Sequence, residues 1–220
     1  MSTPKEWYYE KLAGEVCRAL EKNNIKGIYV KTGKEACNLA LSLIPKGCTI
    51  GLGGSTTLRE IGVLQALREK GIHDGDYTLI DQYEKGISLE ENMERRRKSL
   101  LSDVLLTSTN AITLKGQLVN IDGTGNRVAA LLFGPKKVIV VTGMNKVVRD
   151  VEEGIRRIKE RAAPMNCNRL DYKTPCASTG LCDDDNCLYP ERICNLTGII
   201  EVQPIKDRMT VILVGEDLGF

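Results

Sequence analysis

The chain has 220 residues, of which 42% are hydrophobic and 27% are charged, and its formal net charge is +2. This composition is typical of a globular protein, and the weak positive charge does not indicate a nucleic-acid binder. No apolar run approaches the roughly 20 residues that a membrane span needs, and residues 1–9 lack the apolar core of a signal peptide. We therefore expect a cytoplasmic protein with a single α/β domain over residues 1–220.

Short apolar strands alternate with helical segments along the chain. Capping residues predict helix starts after Thr3, Thr32, Ser88 and Asn145, and Pro164 is expected to end the last of these helices. Strands are predicted at 27–30, 49–52, 77–81, 103–108, 137–143, 199–202 and 210–214, with a β-hairpin at 109–122 that turns at Lys115-Gly116. This order predicts an open, mostly parallel sheet with helices on both faces.

One of these strands, Thr49–Leu52, ends in the glycine turn Gly53-Gly54-Ser55 and is followed by a predicted helix. Glycines let the backbone approach a ligand closely, and a helix N-terminus favours an anion there. The pattern is neither a dinucleotide fingerprint nor a P-loop, because Thr56 stands at the third glycine position and the P-loop lysine is absent. It predicts either an anion site or an ordinary strand-to-helix turn.

Three further polar segments follow predicted strands, at 107–110, 120–127 and 143–146. Carboxyl ends of parallel strands meet at one edge of a sheet, so these segments predict one pocket for a phosphorylated, nucleotide or CoA-type anion. We expect Arg127 or Lys146 to neutralise the anion, and Glu60 or Asp122 to act as the acid or base. The predicted ligand-binding residues are Gly53, Gly54, Ser55, Thr56, Asn110, Asn120, Asp122, Gly123, Gly125, Asn126, Arg127, Gly143, Asn145 and Lys146.

Two other features are predicted to be structural. The basic cluster Arg95–Lys98 follows several glutamates on one predicted helix, which indicates a solvated, salt-bridged face. His73, the only histidine, is predicted to lie in a surface turn. A single histidine also makes a serine or cysteine triad a poor hypothesis.

Five of the eight cysteines lie between residues 167 and 194, and four have the spacing Cys176-x5-Cys182-x4-Cys187-x6-Cys194. Clustered thiols in a reducing compartment indicate a metal centre. Zinc and an iron–sulfur cluster both accept four thiolates, although neither has its most diagnostic spacing here, and free or oxidised thiols are the alternative. We expect residues 164–197 to form a Cys-rich insertion with this metal site, and no organic cofactor is indicated.

Five motifs carry a family resemblance: Gly53-Gly54-Ser55-x-Thr57-Leu58, Thr107-Ser108-x-Asn110, Asn120–Arg127, Thr142-Gly143-x-Asn145-Lys146 and Pro175-Cys176. Together they resemble the LUD family, which includes the C protein of lactate utilisation. The resemblance implies an α/β fold similar to ribose phosphate isomerase, glucosamine phosphate deaminase and the CoA transferases. The CoA transferase glutamate motif is absent, and Glu60 is the nearest candidate. The family's Cys-rich tail has a C-x2-C pair where this chain has Cys182-x4-Cys187.

The family association with lactate oxidation implies iron–sulfur oxidoreductase partners and gives a second hypothesis. In that hypothesis the chain is an electron-transfer or assembly component of an anaerobic oxidation pathway, and the cysteine segment is its redox or docking element. A third hypothesis is that the cysteine segment holds no metal and forms the interface of a homo-oligomer. Fold alone does not choose among these hypotheses.

Overall fold

The structure is a computed structural model that describes residues 2–73 and 77–220, with the side chains of 70–73 excepted. The prediction that His73 lies in a turn is wrong, because it is the last residue of the helix Val63–His73. Its predicted surface exposure lies outside what is described, because its side chain is among those excepted. The α-helices are α1 Pro4–Lys22, α2 Gly33–Ser42, α3 Thr56–Glu60, α4 Val63–His73, α5 Leu89–Ser99, α6 Asn126–Leu132, α7 Val151–Arg157, α8 Ala163–Arg169 and α9 Pro175–Thr179. The strands are β1 Lys26–Val30, β2 Cys48–Leu52, β3 Tyr77–Ile80, β4 Val104–Thr107, β5 Ala111–Thr113, β6 Leu118–Asp122, β7 Lys137–Gly143, β8 Val147–Val148, β9 Leu196–Ile200 and β10 Met209–Val214. None of the described helices combines the length and apolarity needed to cross a bilayer.

The main sheet has six strands in the order β1-β10-β7-β4-β2-β3, and every pair is parallel. Its central strands are nearly continuous runs of apolar residues, as expected for strands buried on both faces. Ile139 and Val141 of β7 pack with α2, α3 and α4 on one face, whereas Val138 and Val140 pack with α1 and α6 on the other. The predicted α/β class and the mostly parallel sheet are confirmed.

A second sheet of four strands, in the order β8-β5-β6-β9, covers part of the α1 side. The predicted hairpin is confirmed: β5 and β6 are antiparallel, and Gly116 adopts a φ of 75° in the turn. The prediction that 199–202 rejoins the main sheet is wrong, because β9 pairs antiparallel with β6. A short apolar strand has the same sequence pattern in either sheet, so the pattern could not decide its partner.

The caps fix several helix starts as predicted. Thr3 and Glu6 form the reciprocal capping box of α1, and the hydroxyls of Thr32 and Ser88 accept the expected backbone N–H groups. The helix predicted after Ser55 is divided, because α3 ends at Glu60 and Gly62 takes a φ of 80° before α4 begins.

The other end of the chain differs more from the prediction. Asn145 lies in a 3₁₀ turn and does not cap a helix; Asp150 caps α7 instead. Pro164 does not end the helical run, which continues to Arg169. A π-helical turn at Ile158–Ala162 precedes the proline, and there the Ala163 N–H bonds to the Ile158 carbonyl five residues back. This wider spacing accommodates a residue that lacks an N–H group.

Candidate functional site

A cleft of about 280 Å³ lies at the carboxyl ends of β2 and β4 and beside the end of β6. Its walls come from all four of the polar segments that the sequence predicted to converge. Nine of the predicted ligand-binding residues line it, namely Gly54, Ser55, Thr56, Asn110, Asp122, Gly123, Asn126, Arg127 and Lys146. Five other predicted residues and Glu60 do not line the cleft.

The glycine turn is shaped by close packing. A Cβ atom at Gly53 would lie 2.1 Å from the Thr107 hydroxyl oxygen, and one at Gly54 would lie 2.8 Å from the Tyr83 hydroxyl oxygen. The Ser55 hydroxyl accepts the Leu58 N–H and so caps α3. Because α3 has only five residues, its dipole is weak, and charge at this edge depends on side chains.

Arg127 and Asp122 form a buried ion pair beside the cleft. The Asp122 Oδ1 atom accepts from Arg127 Nε at 2.9 Å and from Nη2 at 2.6 Å, and its Oδ2 atom accepts the Val128 N–H at 2.8 Å. Arg127 Nη2 also donates to the side chain of Asn110 and the carbonyl of Ile121. Both oxygens of the carboxylate are therefore engaged, and the pair holds the loop after β6 in place.

Lys146 is a buried amine with 4% of its surface exposed. Its Nζ donates to the Thr57 hydroxyl at 2.8 Å and the Ser108 hydroxyl at 3.2 Å. Burial, followed by repulsion from the guanidinium groups of Arg157 and Arg127, lowers the pKa of Lys146 to about 7. This amine is therefore partly neutral near neutral pH.

Several predicted site residues support the cleft from outside it. The Glu60 carboxylate accepts the Gly219 N–H at 2.6 Å, and the Asn145 side chain bonds to both the N–H and the carbonyl of Leu218. Arg157, which the sequence did not suggest, donates to the main-chain oxygen of Phe220 at 3.3 Å. Together these contacts hold residues 218–220 beside Lys146. The remaining predicted residues outside the lining are Gly53, Asn120, Gly125 and Gly143.

Three of those four have clear structural reasons for their identity. The Asn120 side chain accepts the Asn110 N–H and so joins β6 to the loop after β4. Gly125 has a φ of 84°, which favours glycine. A Cβ at Gly143 would come within 2.5 Å of the Asn145 side-chain oxygen. These residues shape the surroundings of the cleft without lining it.

Three guanidinium groups that the sequence analysis did not select also line the cleft, those of Arg59, Arg96 and Arg169. Within residues 2–73 and 77–220, no carboxylate forms a salt bridge with any of the three. The Nε atom of Arg96 is buried without a hydrogen-bond partner. Burial and repulsion by Arg59 both lower the pKa of Arg169.

The basic cluster of α5 therefore has two roles. Arg95 and Arg97 pair with glutamates of their own helix, as predicted for a solvated face. Arg96 instead points to the cleft, where it donates to the Thr124 hydroxyl at 3.0 Å. Helical spacing would have separated Arg96 from its neighbours, because adjacent residues on a helix face different directions. No comparable signal marks Arg169.

The late cysteines also converge. Cys167, Cys176, Cys182, Cys187 and Cys194 all line one small cavity, and all five are free thiols. Cys167 was not among the four predicted ligands. Among the described residues, no three Cys, His, Asp or Glu side chains are placed to hold one metal ion. Cys194, Ile193 and Ala163 line both this cavity, here called the thiol cavity, and the cleft.

A family model described as the LUD domain matches residues 14–214. The chain belongs to the LUD-domain family. The family resemblance inferred from the glycine turn and the polar segments is thus confirmed. The LUD domain is also similar to the crystal structure of a DUF162 family protein from Deinococcus radiodurans, with a TM-score of 0.50 and 14% sequence identity, over 94% of this chain and 98% of the other. At that identity the similarity supports the fold alone. No curated protein is a significant match to the chain.

Proposed function

We propose that this LUD domain binds a small anion, through a phosphate or carboxylate group, in the cleft at the strand ends. The observation that carries the proposal is the set of three guanidinium groups without carboxylate partners, those of Arg59, Arg96 and Arg169. The only acidic side chain in the described lining, Asp122, is already paired with Arg127. The described side chains therefore leave the cleft with excess positive charge.

An anion would relieve an unfavourable arrangement of charges. Arg59 and Arg169 are close enough that repulsion contributes to the lowered pKa of Arg169. The buried Nε–H group of Arg96 is a hydrogen-bond donor without an acceptor among the described residues. A hydrogen bond to a charged group contributes about 1.5–3 kcal/mol, and a guanidinium group matches the geometry of phosphate and carboxylate oxygens. Hydroxyls of Ser55, Thr56 and Thr124 at the same cleft can donate further bonds.

The test is ligand-dependent thermal stability. We expect inorganic phosphate, or a member of a panel of phosphosugars, nucleotides and CoA esters, to raise the melting temperature at constant ionic strength. An anion present at 100 times its Kd would stabilise the fold by about 2.7 kcal/mol. Arg169→Gln should weaken this binding at least about tenfold, in line with one lost charged hydrogen bond.

The matched control is Arg149→Gln, since Arg149 pairs with Glu153 on the surface and is absent from the cleft lining. Its binding should equal that of the wild type. Stabilisation by none of the anions, or equal affinity in the two variants, would overturn the proposal.

We also propose that the physiological ligand belongs to organic-acid utilisation. The support is the resemblance of the chain to the C protein of lactate utilisation, together with a cleft whose guanidinium groups suit a carboxylate. Lactate and pyruvate are therefore included in the panel. Stabilisation by phosphates but by neither organic acid would retain the anion site and remove this assignment.

A second candidate function is electron transfer or assembly through a metal centre in the thiol cavity, with an iron–sulfur oxidoreductase as partner. Its support is the convergence of five thiols on one cavity that shares a wall with the cleft. The thiols as placed do not suit a single ion, since zinc would need four of them at about 2.3 Å. An iron–sulfur cluster accepts more widely separated thiolates and would require less rearrangement.

Metal and sulfide analysis of protein purified without oxygen, with its visible spectrum, decides this second function. Iron with sulfide and visible absorbance would support it, and the signal should disappear in Cys194→Ser but persist in Cys17→Ser, whose thiol lies on α1 away from the cavity. A colourless zinc protein would indicate a structural site. Protein without either metal would leave the thiols free and favour an oligomer interface, which sedimentation can measure.

A further inference from the structure

We propose that the Lys146 amine is a nucleophile that forms an imine with the aldehyde or ketone group of a small anion bound in the cleft. The inference rests on the anion site proposed above and specifies the class of ligand. The ligand would carry a phosphate or carboxylate at one end and a reactive carbonyl at the other.

The geometry of Lys146 favours this role over a salt bridge. The side chain lines the cleft, and among the described residues its Nζ donates only to the neutral hydroxyls of Thr57 and Ser108. No carboxylate of the described chain forms an ion pair with it. Glu60, whose charge acts to raise the pKa of Lys146, is hydrogen-bonded to the Gly219 N–H. A buried lysine without a carboxylate partner is more readily neutral.

The charges around the amine also favour a free lone pair. Arg127 and Arg157 repel an ammonium group, and burial removes its hydration, so the pKa of Lys146 falls to about 7. At pH 7 its neutral fraction is then about a thousandfold higher than that of an exposed lysine with a pKa near 10.4. Lysines activated in this way are the ones that form Schiff bases with carbonyl substrates.

The reaction balances without any oxidant or reductant. The amine lone pair attacks the carbonyl carbon, the C–N bond forms, and the C=O π electrons move to oxygen. That oxygen takes one amine proton to give a carbinolamine. The hydroxyl group then leaves with the second amine proton as water, and the C=N bond forms. The Ser108 hydroxyl, 3.2 Å from Nζ, is placed to pass these protons.

The probe for the experiment is glycolaldehyde phosphate, with neutral glycolaldehyde as the matched compound that lacks the anion. Wild-type protein is incubated with each at pH 7 with cyanoborohydride, which reduces an imine to a stable secondary amine, and the modified lysines are mapped by peptide mass spectrometry. We expect the phosphate probe to modify Lys146 at least about tenfold faster than the exposed Lys115, given the difference in neutral fraction. Neutral glycolaldehyde should modify Lys146 more slowly than the phosphate probe does, because it lacks the anion that binds in the cleft. Excess inorganic phosphate should slow the modification of Lys146 by the phosphate probe.

Thermal stabilisation by the same probe separates this inference from the anion site. If glycolaldehyde phosphate stabilises the protein but leaves Lys146 unmodified, the imine is overturned while the anion site stands. If the probe and every anion of the panel above fail to stabilise it, both proposals fall. Lys146→Arg should abolish the adduct, and peptide mapping of the wild type decides the question if that variant does not fold.

Discussion

Replacing Asp122 by Asn tests whether this carboxylate supports the fold or is available for chemistry. The substitution preserves size but removes the charge opposite Arg127, whose side chain is about 10% exposed. It also leaves only one oxygen for the three donated hydrogen bonds, so a guanidinium or backbone N–H group loses its acceptor. Breaking one partner of a buried ion pair costs about 3–5 kcal/mol.

Urea unfolding followed by circular dichroism measures this loss, and Asp217→Asn is the control. Asp217 pairs with Lys5 at 2.8 Å on the surface, where both side chains are at least half exposed. Removing a surface pair costs about 0–1 kcal/mol. Equal losses in the two variants would refute the buried pair, and a gain of stability in Asp122→Asn would indicate a carboxylate held under strain for function.

Further expectations concern backbone, charge and the chain segment beside Lys146. Gly14→Ala in the middle of α1, where a Cβ meets nothing within 4 Å, should stabilise the fold by about 0.5–1 kcal/mol, whereas Gly62→Ala, at a φ of 80°, should destabilise it by about 1–2 kcal/mol. Both are measured by urea unfolding. Because the pKa of Lys146 is lowered to about 7, the unfolded chain binds more protons than the folded chain between pH 7 and 10.5. The free energy of unfolding of the wild type, relative to Lys146→Met, should therefore rise with pH across that window. A difference that does not change with pH would contradict the burial of the amine. Asn145→Ala should release Leu218, hydrate the amine and raise its pKa toward 10.5, as measured by the pH dependence of its acetylation; an unchanged profile would show that Asn145 does not control the burial of Lys146.

The elements that the sequence predicted well are those governed by local rules. The caps at Thr3, Thr32 and Ser88 and the apolar run of β7 depend on residues a few positions apart, and the structure confirms them. The convergence of the polar segments after β2, β4 and β7 followed from a general property of parallel sheets, whereas the fourth segment follows β6, which pairs antiparallel with its neighbours in the second sheet. The inference about parallel strands needs only strand order and direction.

The missed features depend on long-range packing. Pro164 was expected to end a helix, and only the π turn before it explains why the helix continues. Arg169 reaches the cleft because of that continuation. Cys167, near the end of the same helical run, reaches the thiol cavity for the same reason. An error of a few residues in one helix boundary thus removed two cavity-lining residues from the sequence-based prediction.

The two carboxylates predicted to act as acid or base are both engaged elsewhere. Asp122 has its oxygens occupied by Arg127 and Val128, and Glu60 holds Gly219 outside the cleft lining. Lys146 is left as the described side chain in the cleft whose pKa lies near 7 and whose partners are neutral hydroxyls. The Lys146 amine is therefore the group best placed to exchange a proton, or to form a covalent bond, with a ligand at this edge. Asp122 holds Arg127 in place, and Glu60 and Asn145 hold residues 218–220 beside Lys146. These contacts keep water away from the amine and positive charge near it.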